Sequence, residues 1–430
     1  MEIPELYGIF KSSSGISTDT RSIKKGNIFF ALKGDNFNGN LFAQQALQAG
    51  AMWAIIDVQH FSSQENLILV DDVLRTLQQL AAFHRNQLKA KILAIAGSNG
   101  KTTTKELISR VLETSFSTFS TKGNLNNHIG VPLSLLSISD ETEFGLIEMG
   151  ANHLHETRLL CEVSQPDYGL ITNNGKDHLE GYGSIENVIK GNGELYDFLQ
   201  TKNRPAFVCA DHPELMSMSE GLTRFIYGIH STMCRGRINS LFPFLEIVAY
   251  DGFMESSLTL KTKLFGKYNF ENVMAAVAVG QKFGVSPENI KSSIESYVPS
   301  NNRSQIFKSG TNTFILDAYN ANPSSMIAAL ENFFHIPAEN KIVILGDMAE
   351  LGESSTAEHR EIIKALENEK MKLKIFVGEE FKKALFESSP GFMHFKNVSQ
   401  LKTWFDCQSF KNYFFLLKAS RVMGLEGLVQ

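Results

Sequence analysis

The 430-residue sequence is sparing with cysteine, tryptophan and proline, at four, two and 11 residues. The cysteines (Cys161, Cys209, Cys234 and Cys407) are scattered and none sits in a CxxC pair. That spacing argues against a zinc site and a disulfide framework, and fits a reducing, cytoplasmic compartment. Charge of one sign is missing too. Lys plus Arg is 41 against 46 Asp plus Glu, a net charge of −5, so no nucleic-acid surface is expected and any phosphate site must be local. No apolar run approaches the ~20 residues that span a bilayer. The opening, MEIPELYGIF, lacks the basic-then-apolar order of a signal peptide, so no membrane insertion is expected. Internal repeats and low-complexity segments are absent. Apolar residues at 43% and charged residues at 20% are ordinary globular values. At roughly 100–200 residues per domain, the length fits two to four domains.

What is present is an alternation of short apolar runs with helical patterns, the signature of α/β architecture with mostly parallel sheets. Residues 1–82 read as a small α/β unit with runs at Gly26–Leu32, Ala51–Ile56 and Leu67–Val70. A helical stretch from Val73 to Leu88 leads into 83–298, where Lys91–Ala96, Phe144–Met149, Tyr168–Thr172 and Ala206–Cys209 are strand candidates. Residues 236–263 look hairpin-like, and Asn269–Phe283 reads as an Ala/Val-rich helix. Residues 299–430 repeat the doubly wound pattern, with strands near 314–317, 341–345, 373–377 and 414–417.

The strongest local signal is Ala94-Ile-Ala-Gly-Ser-Asn-Gly-Lys-Thr-Thr-Thr, placed between a strand and a helix as a phosphate-binding loop requires. Gly97 and Gly100 would let backbone N–H groups of Ser98, Asn99 and Thr103 close on phosphate oxygens, aided by the helix N-terminus. Lys101 would neutralise β/γ-phosphate charge and the Thr102 hydroxyl would meet Mg²⁺. The strict GxxxxGK[ST] pattern fails because Ile95 stands at its first glycine; the segment is the shorter GxxGKTT form. Glu148 ends the next apolar strand, where a carboxylate points into the crevice and suits a hard cation. His178 follows a third strand end and is a further Mg²⁺ candidate, although imidazole is an unusual Mg²⁺ ligand.

Together with Asn124-Leu-Asn-Asn-His-Ile-Gly-Val-Pro-Leu, Asp317-Ala-Tyr-Asn-Ala-Asn-Pro-Ser-Ser-Met, Leu345-Gly-Asp-Met-Ala-Glu-Leu-Gly-Glu, Glu358-His-Arg and Lys418-Ala-Ser-Arg, these segments resemble the Mur ligase family, the ATP-dependent amide-forming enzymes of peptidoglycan synthesis. Phe30-Ala-Leu-Lys-Gly-Asp-Asn-Phe-Asn-Gly also fits, and the resemblance runs from about Ser17 to the C-terminus. Folate polyglutamyl ligases share the phosphate loop and the His178 segment but differ at Asp317–Pro323. The resemblance implies three domains: an N-terminal one for the UDP end of a precursor, a central one for ATP, and a C-terminal one that closes over both. It implies UDP-N-acetylmuramoyl-tripeptide and D-alanyl-D-alanine as substrates, ATP and Mg²⁺ as cofactors, and a cytoplasmic monomer. Nothing in the sequence separates lysine from diaminopimelate as the tripeptide's third residue.

The resemblance also implies residue roles. Ser17, Thr18, Asp19 and Arg21 would lie near the UDP moiety, and Asn126 and Asn127 would contact substrate. Asn269 and Asn272 would sit near adenine, in a segment where the family commonly carries His at the position of Tyr268. Arg303 would reach the ATP phosphates and Asp317 the ribose, and Asn320 and Asn322 would flank the incoming dipeptide. Lys418, Ser420 and Arg421 could clamp a carboxylate. The implied chemistry is phosphorylation of a carboxylate to an acyl phosphate, then attack by an amine, with alignment and charge neutralisation as the protein's part. A motion-driving P-loop NTPase, or a non-catalytic nucleotide-binding subunit, is the competing class. One departure stands out. Where the family carries a carbamylated lysine that ligates a second Mg²⁺, this chain has Asn192. Lys190 lies two positions away, roughly 200° around a helix, so an enzyme working without a carbamate is expected.

Overall fold

The computed structural model describes all residues except 35, 60–64, 252–256, 300–301, 386–390 and 430. Asp35 of the Phe30–Gly39 segment, residues 252–256 of the hairpin-like stretch and residues 300–301 beside the expected 298/299 division therefore lie outside the described residues.

The chain is α/β throughout, as expected. Near the N-terminus, Ile16–Ser17, Ile28–Phe30, Trp53–Ile56 and Leu67–Leu69 form a parallel four-stranded sheet in that order. Among the described residues the central sheet has nine strands. Lys91–Ala96 lies inside it, flanked in parallel by Phe144–Glu148 and Tyr168–Ile171. Its almost unbroken apolar run reflects burial on both faces. Ala206–Cys209 and Arg224–Gly228 extend the parallel part, and Cys234–Ser240, Glu246–Asp251 and Ser257–Lys261 close that edge with antiparallel pairings. The third sheet has six strands, in the order Gln305–Ser309, Asn312–Asp317, Phe414–Lys418, Lys341–Gly346, Leu373–Val377 and Phe392–Phe395. All its pairings are parallel except the first, and separate apolar clusters cover its two faces.

Most expected elements appear within a residue or two. The pattern missed the helices Ile3–Ser12, Glu156–Ser164 and Pro287–Ser296. The last is announced by Ser286, whose side chain caps Asn289 N–H, and by Pro287 in the first turn. The helix Val73–Gln87 starts from an Asp72 cap and runs across residue 82. Its buried Val73, Leu77, Leu80 and Ala81 share one cluster with Ile92, Ala94, Leu135 and Leu136 of the central unit.

Candidate active site

The phosphate loop is built on two glycines in backbone conformations that L side chains rarely adopt. Gly97 has φ +116° and Gly100 φ +82°. A Cβ on Gly97 would collide with Thr172 Oγ1, and one on Gly100 would lie 2.6 Å from Asn272 Oδ1. Gly100 opens the helix Lys101–Glu113 in a left-handed conformation, so the loop amides and the helix N-terminus face one space. Lys101 Nζ folds back to donate to the carbonyls of Gly97 and Ser98. Asn99 N–H donates to Asn173 Oδ1 at 3.0 Å.

Beside the loop, Glu148 is 3% exposed. Its Oε1 accepts from Thr102 Oγ1 at 3.1 Å and from Asn126 Nδ2 at 3.0 Å. Its Oε2 is buried without a hydrogen bond among the described residues, although the ammonium of Lys105 stands 3.3 Å away. Lys105, 2% exposed, spends a hydrogen bond on the Thr121 carbonyl. It is the buried countercharge of Glu148, and sequence reasoning missed it because it sits mid-helix with no motif around it.

Across the space, the C-terminal unit supplies the opposite wall. Asp317 ends its strand, with Oδ2 2.6 Å from Lys418 Nζ and Oδ1 accepting the Ser304 N–H at 3.0 Å. Lys418 is only 2% exposed, so it anchors Asp317 rather than clamping a ligand. Ser420 is likewise engaged, accepting from Ala349 N–H and donating to the Ala321 carbonyl. The Arg303 guanidinium stacks on Tyr319 at 3.6 Å, and its buried Nε has no hydrogen-bond partner among the described residues. Arg421 approaches the same ring at 5.2 Å. Asn322 caps the helix Pro323–Phe334 by accepting from Ser325 N–H at 2.8 Å. Its amide then reaches the central unit, donating to Asn99 Oδ1 at 2.9 Å and Asp177 Oδ1 at 3.1 Å.

His178 has a left-handed backbone and lies at this seam. Its Nδ1 is 2.5 Å from Glu350 Oε2 and its Nε2 is 3.5 Å from Asp177 Oδ1. Burial disfavours its charged form, but Glu350 and Asp177 outweigh burial and raise its pKa. The Glu350 pKa is lowered in return by His178. Lys176 adds a 2.6 Å contact to Glu358. Tyr268 joins the two units through a 2.6 Å hydrogen bond to Ser304 Oγ.

The result is a cleft of about 780 Å³, in the upper part of the range for ligand sites. Ser98, Asn99, Gly100, Lys101, Thr102, Thr103, Asn126, Asn127, Glu148, His178, Asn269, Asn272, Arg303, Asp317, Asn320, Asn322, Lys418 and Arg421 all line it. Several are already committed locally. Asn127 caps Ile129 and Gly130, Asn269 donates to the Phe265 carbonyl, and Asn272 accepts from Thr104 Oγ1. Ser17, Thr18, Asp19 and Arg21 are not brought to this cleft. They form a self-contained turn in the N-terminal unit, where Arg21 pairs with Asp19 and lowers its carboxyl pKa to about 2. Asn192 is buried and donates to Asn174 Oδ1 at 2.9 Å, whereas Lys190 is exposed.

Three family models match successive stretches of the chain: the Mur ligase family catalytic domain over residues 12–85, the Mur ligase middle domain over 95–280, and the Mur ligase glutamate ligase domain over 302–404. The UDP-N-acetylmuramoyl-tripeptide--D-alanyl-D-alanine ligase of Bacillus subtilis is 32% identical over 428 residues, covering 97% of this chain and 92% of its own length. The chain belongs to the Mur ligase family. Among solved Mur ligases, a crystal structure of MurF from Acinetobacter baumannii superposes with a TM-score of 0.89 at 28% identity, covering 99% of this chain and 97% of that one. MurF from Thermotoga maritima, solved in complex with ADP, shares the fold with a TM-score of 0.86 at 23% identity, over 98% and 97% of the two chains. The two-walled cleft of this Mur ligase therefore sits within a fold shared along the whole chain.

Proposed function

We propose that this chain is the ATP-dependent ligase that joins D-alanyl-D-alanine to UDP-N-acetylmuramoyl-tripeptide, working as a cytoplasmic monomer. One observation carries the reading. A phosphate loop on one unit and the Asp317–Asn322 segment on another face a single cleft, in a chain related over almost its full length to ligases of that name. In this division of labour, residues 1–82 hold the UDP end through Ser17, Thr18, Asp19 and Arg21. Residues 83–298 hold ATP, and residues 299–430 close the cleft.

A carboxylate is a poor acyl donor because oxide would have to leave. Its oxygen attacks the γ-phosphorus of ATP, the bond to the β-phosphate oxygen breaks, and ADP departs, leaving an acyl phosphate. The dipeptide amine then attacks the carbonyl carbon, loses a proton, and expels inorganic phosphate as the amide forms. Lys101 and the loop amides hold the phosphates in line and neutralise charge that grows on transfer. To do so, Lys101 leaves the loop carbonyls of Gly97 and Ser98 for the phosphates. Arg303, with its unpartnered Nε, supplies a second cation from the opposite wall. Asp317 is poised for the ribose, and Asn269 and Asn272 shape the base end. Asn320 and Asn322 stand where the dipeptide enters, with Asn126 and Asn127 on the precursor side.

The Thr102 hydroxyl and the Glu148 carboxylate are hard oxygen donors, and the buried, unbonded Glu148 Oε2 leaves a lone pair for a cation, so the pair fits Mg²⁺. Bound there, Mg²⁺ would supply charge neutralisation at the β- and γ-phosphates. His178 fits such a role less directly, because Glu350 already engages its Nδ1; its Nε2 is the atom left for the cleft. The deciding experiment is ADP release measured with each substrate alone and with both. The reading requires release to depend on UDP-N-acetylmuramoyl-tripeptide and D-alanyl-D-alanine together, tested with lysine and diaminopimelate precursors. Equal release without the dipeptide would sink it.

A further inference from the structure

A second cluster of metal-capable side chains stands in the cleft wall, apart from Thr102 and Glu148. Cys209 ends the strand Ala206–Cys209, His212 precedes the helix Pro213–Met218, and Glu271 lies in the first turn of the helix Asn269–Lys282. The sulfur, a ring nitrogen and a carboxylate oxygen all lie within 4.8 Å of one another. Two of the three come from one tight turn, in which the His212 N–H reaches the Cys209 carbonyl at 3.4 Å. The third arrives from 59 positions away, with Glu271 Oε2 2.8 Å from His212 Nε2. A second carboxylate, Glu214 Oε1, stands 3.4 Å from the other ring nitrogen, Nδ1. That is the arrangement in which an outer carboxylate fixes the tautomer and orientation of a metal-ligating histidine.

We propose that Cys209, His212 and Glu271 bind a divalent cation of the zinc class, with its fourth position open to the nucleotide cleft. One sulfur, one imidazole and one carboxylate suit zinc in a three-ligand site with an open position. The same set is wrong for Mg²⁺, which takes oxygen donors. Asp211 is no fourth ligand, because its oxygens accept the N–H groups of Ile229 and His230. His212 and Glu271 line the cleft while Cys209 lies fully buried behind them, so the open position faces inward to the ligand space. The spacing of the cysteines hides this site, since only Cys209-x-x-His212 is local and Glu271 arrives through the fold. The proposal is independent of the ligase reading.

The test is a titration of the full chain, stripped with chelator and kept reduced, with Co²⁺ in the presence of excess Mg²⁺. A saturable thiolate-to-cobalt charge-transfer band in the near ultraviolet is expected, with the visible bands of a four-coordinate ion, all displaced by Zn²⁺. Cys209→Ser should abolish the near-ultraviolet band. Glu271→Gln and His212→Asn should each weaken cobalt binding by about tenfold or more, and Cys407→Ser, at the exposed cysteine, should change nothing. Thermal melts check that the variants are folded; if Cys209→Ser is not, the Glu271→Gln titration decides. Absence of the band in the unmodified chain, its survival in folded Cys209→Ser, or unaltered affinity in Glu271→Gln would overturn the assignment.

Discussion

The central unit meets its two neighbours in different ways. On the N-terminal side the helix Val73–Gln87 belongs to one apolar cluster with the central sheet's covering layer. Polar groups are buried there too: His84 against the Ile138 carbonyl at 3.0 Å and the Tyr7 hydroxyl at 3.2 Å, and Arg85, which donates to the Ser164 and Gln165 carbonyls and pairs with Asp167 at 2.7 Å. On the C-terminal side, Leu179, Tyr182, Val188 and Phe265 join the C-terminal unit's apolar cluster, with Ala151, Leu154 and Ile185 packed against it. The rest of the seam is polar: Glu350 on His178, Lys176 on Glu358, Asn322 on Asn99 and Asp177, and Tyr268 on Ser304. Water can replace polar contacts at a net change of only about 0.5–1.5 kcal/mol each, whereas opening an apolar cluster exposes its whole area. The first seam is therefore expected to stay shut, and the second to be the one that opens and closes over a ligand.

The proposed function puts catalysis at the C-terminal seam, and the sharpest way to break that contrast is a pair of substitutions. Lys101→Ala should lower ligation by about a thousandfold or more with an unchanged melting curve. Leu80→Ala, in the N-terminal seam, should cost about 2–5 kcal/mol of stability and leave the turnover of the folded fraction intact. Turnover loss in folded Leu80→Ala would dissolve the distinction.

Asp317→Ala should act on both properties. It leaves the Lys418 ammonium buried without its carboxylate, at a cost of about 3 kcal/mol in denaturant unfolding. In the folded fraction, the KM for ATP should rise more than the KM for the UDP precursor; the reverse split would move Asp317 out of the nucleotide site. Glu350→Gln should be milder, loosening the seam by about 1 kcal/mol, read as faster amide exchange in the His178 and Glu350 segments but not in Val73–Gln87.

The N-terminal seam has its own pH signature. Burial lowers the His84 pKa from its ordinary 6.5, with the Ile138 carbonyl opposing. Above pH 6.5 His84 is neutral in both states and its burial carries no pH-linked penalty. As pH falls below 6.5 the unfolded chain gains a proton that the folded chain resists, so stability falls until the depressed folded pKa is reached. Melting temperature should therefore drop more steeply on acidification in the natural chain than in His84→Gln. The smallest expected effect is none at all. With Asn192 bonded to Asn174 and Lys190 exposed, stripping CO₂ and restoring bicarbonate should leave activity unchanged, and recovery with bicarbonate would show that a lysine is carbamylated.

The sequence by itself determined the α/β class, the phosphate loop, and the carboxylates Glu148 and Asp317 at strand ends, because each is written in a local period or a short motif. Strands such as Lys91–Ala96 are legible as apolar runs since both their faces are buried. The tertiary structure alone decided what those residues touch. Lys105 beneath Glu148, Lys418 under Asp317, Glu350 on His178, and Asn322 reaching across 223 positions to Asn99 have no local signature. Nor does the gathering of Cys209, His212 and Glu271. Side-chain period reports which face of an element is buried, but pairing between distant polar groups depends on where whole units come to rest, and a chain read in order carries no mark of that.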